Sequence, residues 1–174
     1  MNNRIIWNTA CIAGLALGAV STVCMFVGQY LSTQQLSAGA NSFLGLILWL
    51  VETVGCIWLM NFFMKKFVRE NEGIDQKTLF RMGMLTALLS ALMFSAIYLA
   101  NMLYISADFY NQVFQTAIQQ MAPSLDSNSM SALRKVVDKL PQITFFYYLI
   151  YCFLFGTVLS AILSRNILSK NPFE

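Results

Sequence analysis

The chain has 174 residues, of which 57% are hydrophobic and only 11% are charged, with a formal net charge of +3. Soluble domains carry about 25% charged residues, so this composition excludes an ordinary soluble protein and indicates a chain built for lipid. A nucleic-acid partner is also excluded, because no clustered basic face with interleaved aromatic residues accompanies the small positive charge.

Four apolar runs are long enough to cross a hydrocarbon core, which needs about 20 residues per helix. In lipid every backbone amide must be paired within its own segment, so the runs predict four helices packed as one bundle and no sheet. One domain over residues 1–174 accommodates them. In chain order the runs are Ile5–Leu31, Phe43–Met64, Met82–Ile105 and Ile143–Leu163.

Small residues recur every four positions in three of these runs, and such stripes let membrane helices approach closely. We expect them to pack the four helices of one chain together, and a seam between two copies is the alternative. The residues expected at these contacts are Gly14 and Gly18 in the first run, Ala87 and Ala91 in the third, and Gly156 and Ser160 in the fourth.

The second run contains one carboxylate, Glu52, near its middle. A charged group at mid-bilayer costs about 2.5 to 3.5 kcal/mol on insertion scales, so such residues face the bundle interior or a wet cavity. No Lys or Arg lies within the runs, so we expect protonated Glu52 to hydrogen-bond to a hydroxyl at its own depth. A count at about 1.5 Å per residue reaches this depth at Gly18, Ser21, Thr22, Ser95, Tyr98, Tyr148, Tyr151 and Cys152.

The connection after the second run carries helix-boundary signals in the sequence NEGIDQKTLFRMG. Gly73 is predicted to end the preceding helix, and Asp75 is predicted to cap the next one. Ile74 and Leu79 have the spacing of a hydrophobic staple. Together these signals define where the third helix begins.

An amphipathic helical extension is predicted between the third and fourth runs. From Met84 to Ala122 the sequence has no glycine or proline, so the third helix can continue past the membrane until Pro123 stops it. Apolar residues recur at helical spacing over 108–121 and again over 130–140, where Pro141 is predicted to end the second segment. These two amphipathic helices form either a passive cover over the bundle or a docking surface for a partner.

The positions of Lys and Arg predict the orientation, because cytoplasmic loops retain positive charge. The connection 32–42 has no charge, and in the third connection the basic residues are offset by acidic ones. Both termini are therefore predicted to be cytoplasmic. The basic residues on that side are Arg4, Lys65, Lys66, Arg69, Lys77, Arg81, Arg165 and Lys170.

The sequence offers few groups for a metal, a cofactor or catalysis. It has no histidine, and its four cysteines lie within the apolar runs, where thiols usually act as small apolar side chains. It also has no glycine-rich phosphate loop and no nucleophile elbow. We therefore expect no metal, no cofactor, no catalytic residue and no enzymatic activity.

At GIDQKTLFRMG the sequence resembles the domain-of-unknown-function 4199 family of small four-helix bacterial membrane proteins. The family pattern of a glycine, an aliphatic residue, then Phe, a basic residue and a spaced glycine matches Gly73, Ile74, Phe80, Arg81 and Gly83. Asp stands where the family usually has a Ser or Thr cap, and Gln and Lys then replace its common Phe and Gly. Three further features are also similar to the family. They are the glycines of the first run, the amphipathic extension after the third run and the KNPFE tail. The resemblance implies a bacterial inner-membrane protein and supplies no activity.

Two functions follow from Glu52. The first is a non-enzymatic scaffold or accessory subunit, in which Glu52 joins helices through one hydrogen bond worth about 0.6 kcal/mol. The second is a small proton-coupled transporter, in which Glu52 binds a proton and a substrate in turn, since intramembrane acids mark transport pathways. We expect the first, with the lipid bilayer and either a membrane-protein partner or a homo-oligomer as its contacts.

Overall fold

The computed structural model describes residues 3–34, 38–71, 73–124 and 126–169, and over these ranges it contains helices and no strand. A π-helical turn (Asn101–Ile105) joins α3 to α4, and a 3₁₀ turn (Ala122–Ser124) follows α4. The KNPFE tail lies outside the described residues. The helices are α1 (Asn3–Thr33), α2 (Ala38–Glu70), α3 (Gln76–Ala100), α4 (Ala107–Met121) and α5 (Ser127–Ser169).

Four helical segments are long and apolar enough to cross a membrane. The prediction of an all-helical, multi-pass membrane protein is therefore confirmed, while the cytoplasmic placement of both termini stays a prediction. Each segment is longer than the apolar run from which it was predicted. The segments are Asn3–Thr33, Gly39–Glu70, Gln76–Ile105 and Asn128–Leu168.

Pro141 lies inside α5, so the prediction that it ends a surface helix over 130–140 is wrong. A proline within a helix removes one backbone hydrogen bond and costs about 3 kcal/mol. The apolar residues that follow must pair all their amides in lipid. Continuing the helix through Pro141 satisfies them, whereas a break next to the membrane would leave several backbone groups without partners.

The third helix does not continue without interruption to Pro123, contrary to the prediction. The Ser106 N–H donates to the Asn101 carbonyl at 2.8 Å, which is the spacing of a π-helical turn. Ser106 then leaves the helical conformation, with φ −128° and ψ 33°. Its hydroxyl donates to Asn101 Oδ1 at 2.9 Å, and such side-chain bonds compete with helical ones. This break sets the start of α4, which matches the predicted amphipathic segment 108–121 to within one residue.

The described helices form two compact units. The first contains α1, α2, α3 up to Phe94 and α5 from Leu149, and the second contains Ser95–Tyr148. The core of the first unit lies toward the end where α1 and α3 begin and where α2 and α5 finish, which also carries most basic residues. Along α2, by contrast, no residue from Gly39 to Leu59 is buried. The core residues are Ile6, Leu17, Met60, Met64, Phe67, Leu79, Met82 and Ile167.

Glycines bring α1 against α3 in the first unit. A Cβ added at Gly14 would lie 2.8 Å from Leu89 Cβ and 3.1 Å from the carbonyl oxygen of Thr86. A Cβ added at Gly18 would lie 2.9 Å from the sulfur of Met93. The glycines of the first run thus face another helix of the same chain at close range.

Small residues also bring α3 against α5. A Cβ added at Gly156 would lie 2.5 Å from Ala87 Cβ, and one added at Gly83 would overlap the Ser160 hydroxyl. That hydroxyl donates to the carbonyl oxygen of Phe80 at 3.1 Å, which links the two helices. The other small residues of the predicted stripes are buried as well, namely Ala87, Ala91 and Ser160.

Asp75 caps α3, as predicted. The Thr78 N–H donates to Asp75 Oδ1 at 3.3 Å, and this hydrogen bond lowers the pKa of the Asp75 carboxyl below its usual value. Gly73 takes the left-handed conformation, with φ +69°, that glycine permits just after a helix. Ile74 packs against the core that contains Leu79. The helix-boundary signals in the sequence are therefore confirmed.

We expect the Asp75 cap to stabilise α3 only while its carboxyl is ionised. Because the folded pKa lies below the unfolded value of about 3.9, the stabilisation is complete above that pH and is lost as the pH falls through the folded pKa. Asp75→Asn keeps a capping group that does not titrate. Thermal unfolding in detergent will show the wild type losing stability relative to Asp75→Asn between pH 7 and pH 3. A constant difference between the two proteins contradicts this role.

Candidate intramembrane polar site

Glu52 lies on α2 within the first unit and is half-buried. Its neighbours Val51 and Val54 are exposed on the outer surface of the helix. The carboxyl therefore occupies the side of α2 that turns toward other helices, as expected for an acid at membrane depth.

The Ser21 hydroxyl on α1 lies close to the Glu52 carboxyl. The same oxygen lies 3.7 Å from Cys56 Sγ, one helical turn after Glu52. Either the Ser21 hydroxyl or the Cys56 thiol can donate the proton in this contact. Ser21 is one of the hydroxyls that the depth count places at this level, and it joins α1 to α2.

Three thiols lie in the region of the carboxyl, near enough for its charge to act on them. They belong to Cys24 on α1, Cys56 on α2 and Cys152 on α5. With Ser21 and Glu52 they form what we call the Glu52 cluster. All of its cysteines are free thiols. Within the described residues no three ligand side chains come close enough together to hold a metal ion.

The sequence analysis placed Cys152 at this depth but missed the roles of Cys24 and Cys56. The spacing of these residues in the sequence could have indicated them, because Cys56 follows Glu52 by four residues and Cys24 follows Ser21 by three. Residues at these spacings share one face of a helix. They were missed because cysteine usually acts as an apolar residue in a membrane helix, so its presence near a polar side chain was not considered.

The remaining residues predicted near Glu52 have other surroundings. Thr22 donates to the carbonyl oxygen of Gly18 at 2.7 Å within α1, and Tyr151 is exposed. Ser95, which is fully buried, belongs to the second unit together with Tyr98 and Tyr148. A contact of Glu52 with any of these three stays a prediction.

The second unit holds a polar network centred on Asn101, which is fully buried. Its Oδ1 accepts from the Ser106 hydroxyl at 2.9 Å, and its Nδ2 donates to the Tyr110 hydroxyl at 3.3 Å. This network joins the π-helical turn to α4. The sequence analysis did not identify Asn101, although it is a polar residue near the end of the third apolar run and could have been noted there.

Three tyrosine rings extend the Asn101 network. The rings of Tyr98 and Tyr110 have centroids 6.2 Å apart, and those of Tyr98 and Tyr148 have centroids 4.5 Å apart. Burial and the contact with Tyr98 raise the pKa of Tyr110 above its ordinary value, so its hydroxyl keeps its proton at neutral pH. The tyrosines therefore connect α3, α4 and the first part of α5.

Comparison with known proteins returns one family. The family model described as "Protein of unknown function (DUF4199)" matches residues 9–165. This range contains both the Glu52 cluster and the Asn101 network. No curated protein and no solved structure matches the chain.

Proposed function

The chain belongs to the DUF4199 family, and we propose that it is a non-enzymatic scaffold or accessory subunit of the bacterial inner membrane. The half-buried position of Glu52 on α2, one turn before the contact between Ser21 of α1 and Cys56 of α2, is the observation that carries this proposal. A carboxyl that links α1 to α2 stabilises the bundle. A transport acid, in contrast, has to exchange its partner for a substrate during each cycle.

The composition of the Glu52 cluster also favours a structural role. A proton-coupled carrier needs further ionisable groups or water to move protons between Glu52 and the membrane surface. The members of the cluster other than Glu52 are a serine and three cysteines, whose thiols and hydroxyl are weak acids at neutral pH. These groups are well suited to hold a carboxyl in place and poorly suited to relay its proton.

A surface on α4 supports the accessory role. The described residues of α4 include none that is buried, and one face of the helix lines an open groove of about 480 Å³. Such mixed faces accept a partner helix through apolar anchors and amide hydrogen bonds. The groove is lined by Phe109, Gln112, Val113, Thr116, Ala117 and Gln120.

Two substitutions at Glu52 test the proposed role. Glutamine still interacts with Ser21, so we expect Glu52→Gln to unfold at nearly the wild-type concentration of sodium dodecyl sulfate in mixed micelles. Leucine removes the contact, so we expect Glu52→Leu to lose about 0.6 kcal/mol and at most about 1.7 kcal/mol. Asp138→Asn, at an exposed position of α5 without an ion pair to another described residue, is the control and leaves stability unchanged.

A proton-transport measurement can contradict the scaffold proposal. In proteoliposomes with an imposed pH gradient, the scaffold proposal predicts no proton flux above empty vesicles for wild type or for Glu52→Gln. Flux in the wild type that disappears in a normally folded Glu52→Gln variant contradicts the proposal and establishes the carrier instead.

A further inference from the structure

The first part of α5, within the second unit, carries an exposed strip that changes from basic to apolar. Lys135, Lys139, Ile143 and Phe146 fall within a sector of about 80° when each residue advances about 100° around the helix. All four side chains are exposed, Ile143 by 50% and Phe146 by 58%. We call these four residues the α5 strip.

The α5 strip contains no acidic residue. By the same count Asp138 lies about 100° from Lys139 and about 60° from Lys135, and Arg134 lies about 100° from Lys135 and about 140° from Lys139. Neither lysine forms an ion pair with a described residue. The two ammonium groups therefore present positive charge that the rest of the described chain does not neutralise.

Along the helix, Lys139 lies at the depth of phospholipid headgroups and Lys135 lies about one turn farther out. Ile143 begins the fourth apolar run, and Lys139 and Lys135 precede it by about 6 and 12 Å at about 1.5 Å per residue. The polar region of a bilayer extends about 5 to 7 Å beyond the hydrocarbon core on each side. Because lysine side chains are long and flexible, both ammonium groups can turn toward the phosphate level.

We propose that the α5 strip binds an anionic phospholipid. Lys135 and Lys139 hold its headgroup phosphate, and Ile143 and Phe146 contact its acyl chain. Two lysines four residues apart have Cβ atoms about 5 to 6 Å from each other, so both reach one phosphate. The apolar half of the strip selects a lipid over a free phosphate ion, which would leave Ile143 and Phe146 uncovered. This binding surface goes beyond the scaffold role and does not depend on it.

Photocrosslinking tests the proposal at the strip itself. The full chain is reconstituted in phosphatidylcholine vesicles that contain a small fraction of either phosphatidylglycerol or phosphatidylcholine with the same photoactivatable acyl chain. We expect adducts between residues 135 and 147, found by mass spectrometry, to form in excess with phosphatidylglycerol. Each of Lys135→Gln and Lys139→Gln will lower this excess about fivefold, because a lysine near an anionic surface contributes about 1 kcal/mol.

Arg134→Gln is the matched control, because it removes the same charge from the neighbouring position on another face of the helix. We expect it to leave the excess unchanged, with circular dichroism showing that all variants remain helical. An equal loss in Arg134→Gln and Lys135→Gln, or equal labelling by the two lipids in the wild type, overturns the proposal. Loss of the excess on adding inorganic phosphate at constant ionic strength also overturns it, in favour of a free-phosphate site.

Discussion

Replacing Gly156 by alanine is expected to destabilise the helix bundle by about 1 to 3 kcal/mol, the range for overpacking. The new methyl carbon would lie 2.5 Å from Ala87 Cβ and 3.4 Å from Ala87 Cα, whereas carbon atoms in favourable contact lie about 3.5 to 4.0 Å apart. Neither atom belongs to a flexible side chain, so α3 and α5 have to move apart. Unfolding by sodium dodecyl sulfate, followed by circular dichroism in mixed micelles, measures the loss.

A second-site change and a control make this prediction specific. Ala87→Gly removes the opposing methyl group, so adding it to Gly156→Ala is expected to restore part of the lost stability. A Cβ added at Gly45 meets no atom within 4 Å, and alanine is favoured over glycine in a helix by about 1 kcal/mol. Gly45→Ala will therefore be neutral or stabilising. Equal effects at Gly156 and Gly45, or no recovery in the double variant, contradict close packing of α3 on α5.

Replacing Asn101 by leucine is expected to release α4 from the π-helical turn. Leucine has a similar shape, but it cannot accept the hydrogen bond from Ser106 or donate the one to Tyr110. Removing a buried partner costs about 1 to 3 kcal/mol, and each 1.4 kcal/mol corresponds to about a tenfold change in an opening equilibrium. Hydrogen exchange over residues 107–121 will therefore become about tenfold faster or more.

Asn111 provides the comparison for this release. It lies on α4 and is exposed, so Asn111→Leu makes the same chemical change without removing a buried group. Its exchange over 107–121 is expected to match the wild type. Ser106→Ala removes the hydrogen bond from Ser106 and keeps the one to Tyr110, so its exchange will be intermediate. If Asn101→Leu exchanges no faster than Asn111→Leu, the network does not hold α4.

The helical spans follow from the sequence because lipid leaves the backbone few alternatives. An apolar run of about 20 residues has to pair its amides internally, so composition alone identifies the four membrane helices. The cap at Asp75 and the turn at Gly73 are equally local, because each depends on one residue and its immediate neighbours. The small-residue stripes predicted close approach, although which helices they join, α1 with α3 and α3 with α5, came only from the structure.

Other features depend on competition between local costs and long-range contacts. The cost of Pro141 in a helix is visible in the sequence, but the gain from continuing α5 is not. The break between α3 and α4 after Asn101 arises from side-chain hydrogen bonds. The sequence has no glycine or proline there from which the break could be predicted. At Glu52, the depth count identified a level in the membrane that contains several hydroxyls. The rotation of α1 and α2 about their axes decides that Ser21, Cys24 and Cys56 lie near Glu52. Composition does not determine this rotation.

The one-sided core of the first unit bears on how the molecule responds to bilayer thickness. Helices longer than the local hydrocarbon core adapt by tilting, at a cost of a fraction of a kcal/mol per Å of mismatch. Met60, Met64 and Phe67 fix α2 at its packed end, while no residue from Gly39 to Leu59 is fully buried. In that half of α2, Leu48 lies close to Gly28 of α1 and Cys56 lies close to Ser21 of α1. We therefore expect α2 to tilt together with α1, so that the first unit fits thinner and thicker membranes while its core stays intact.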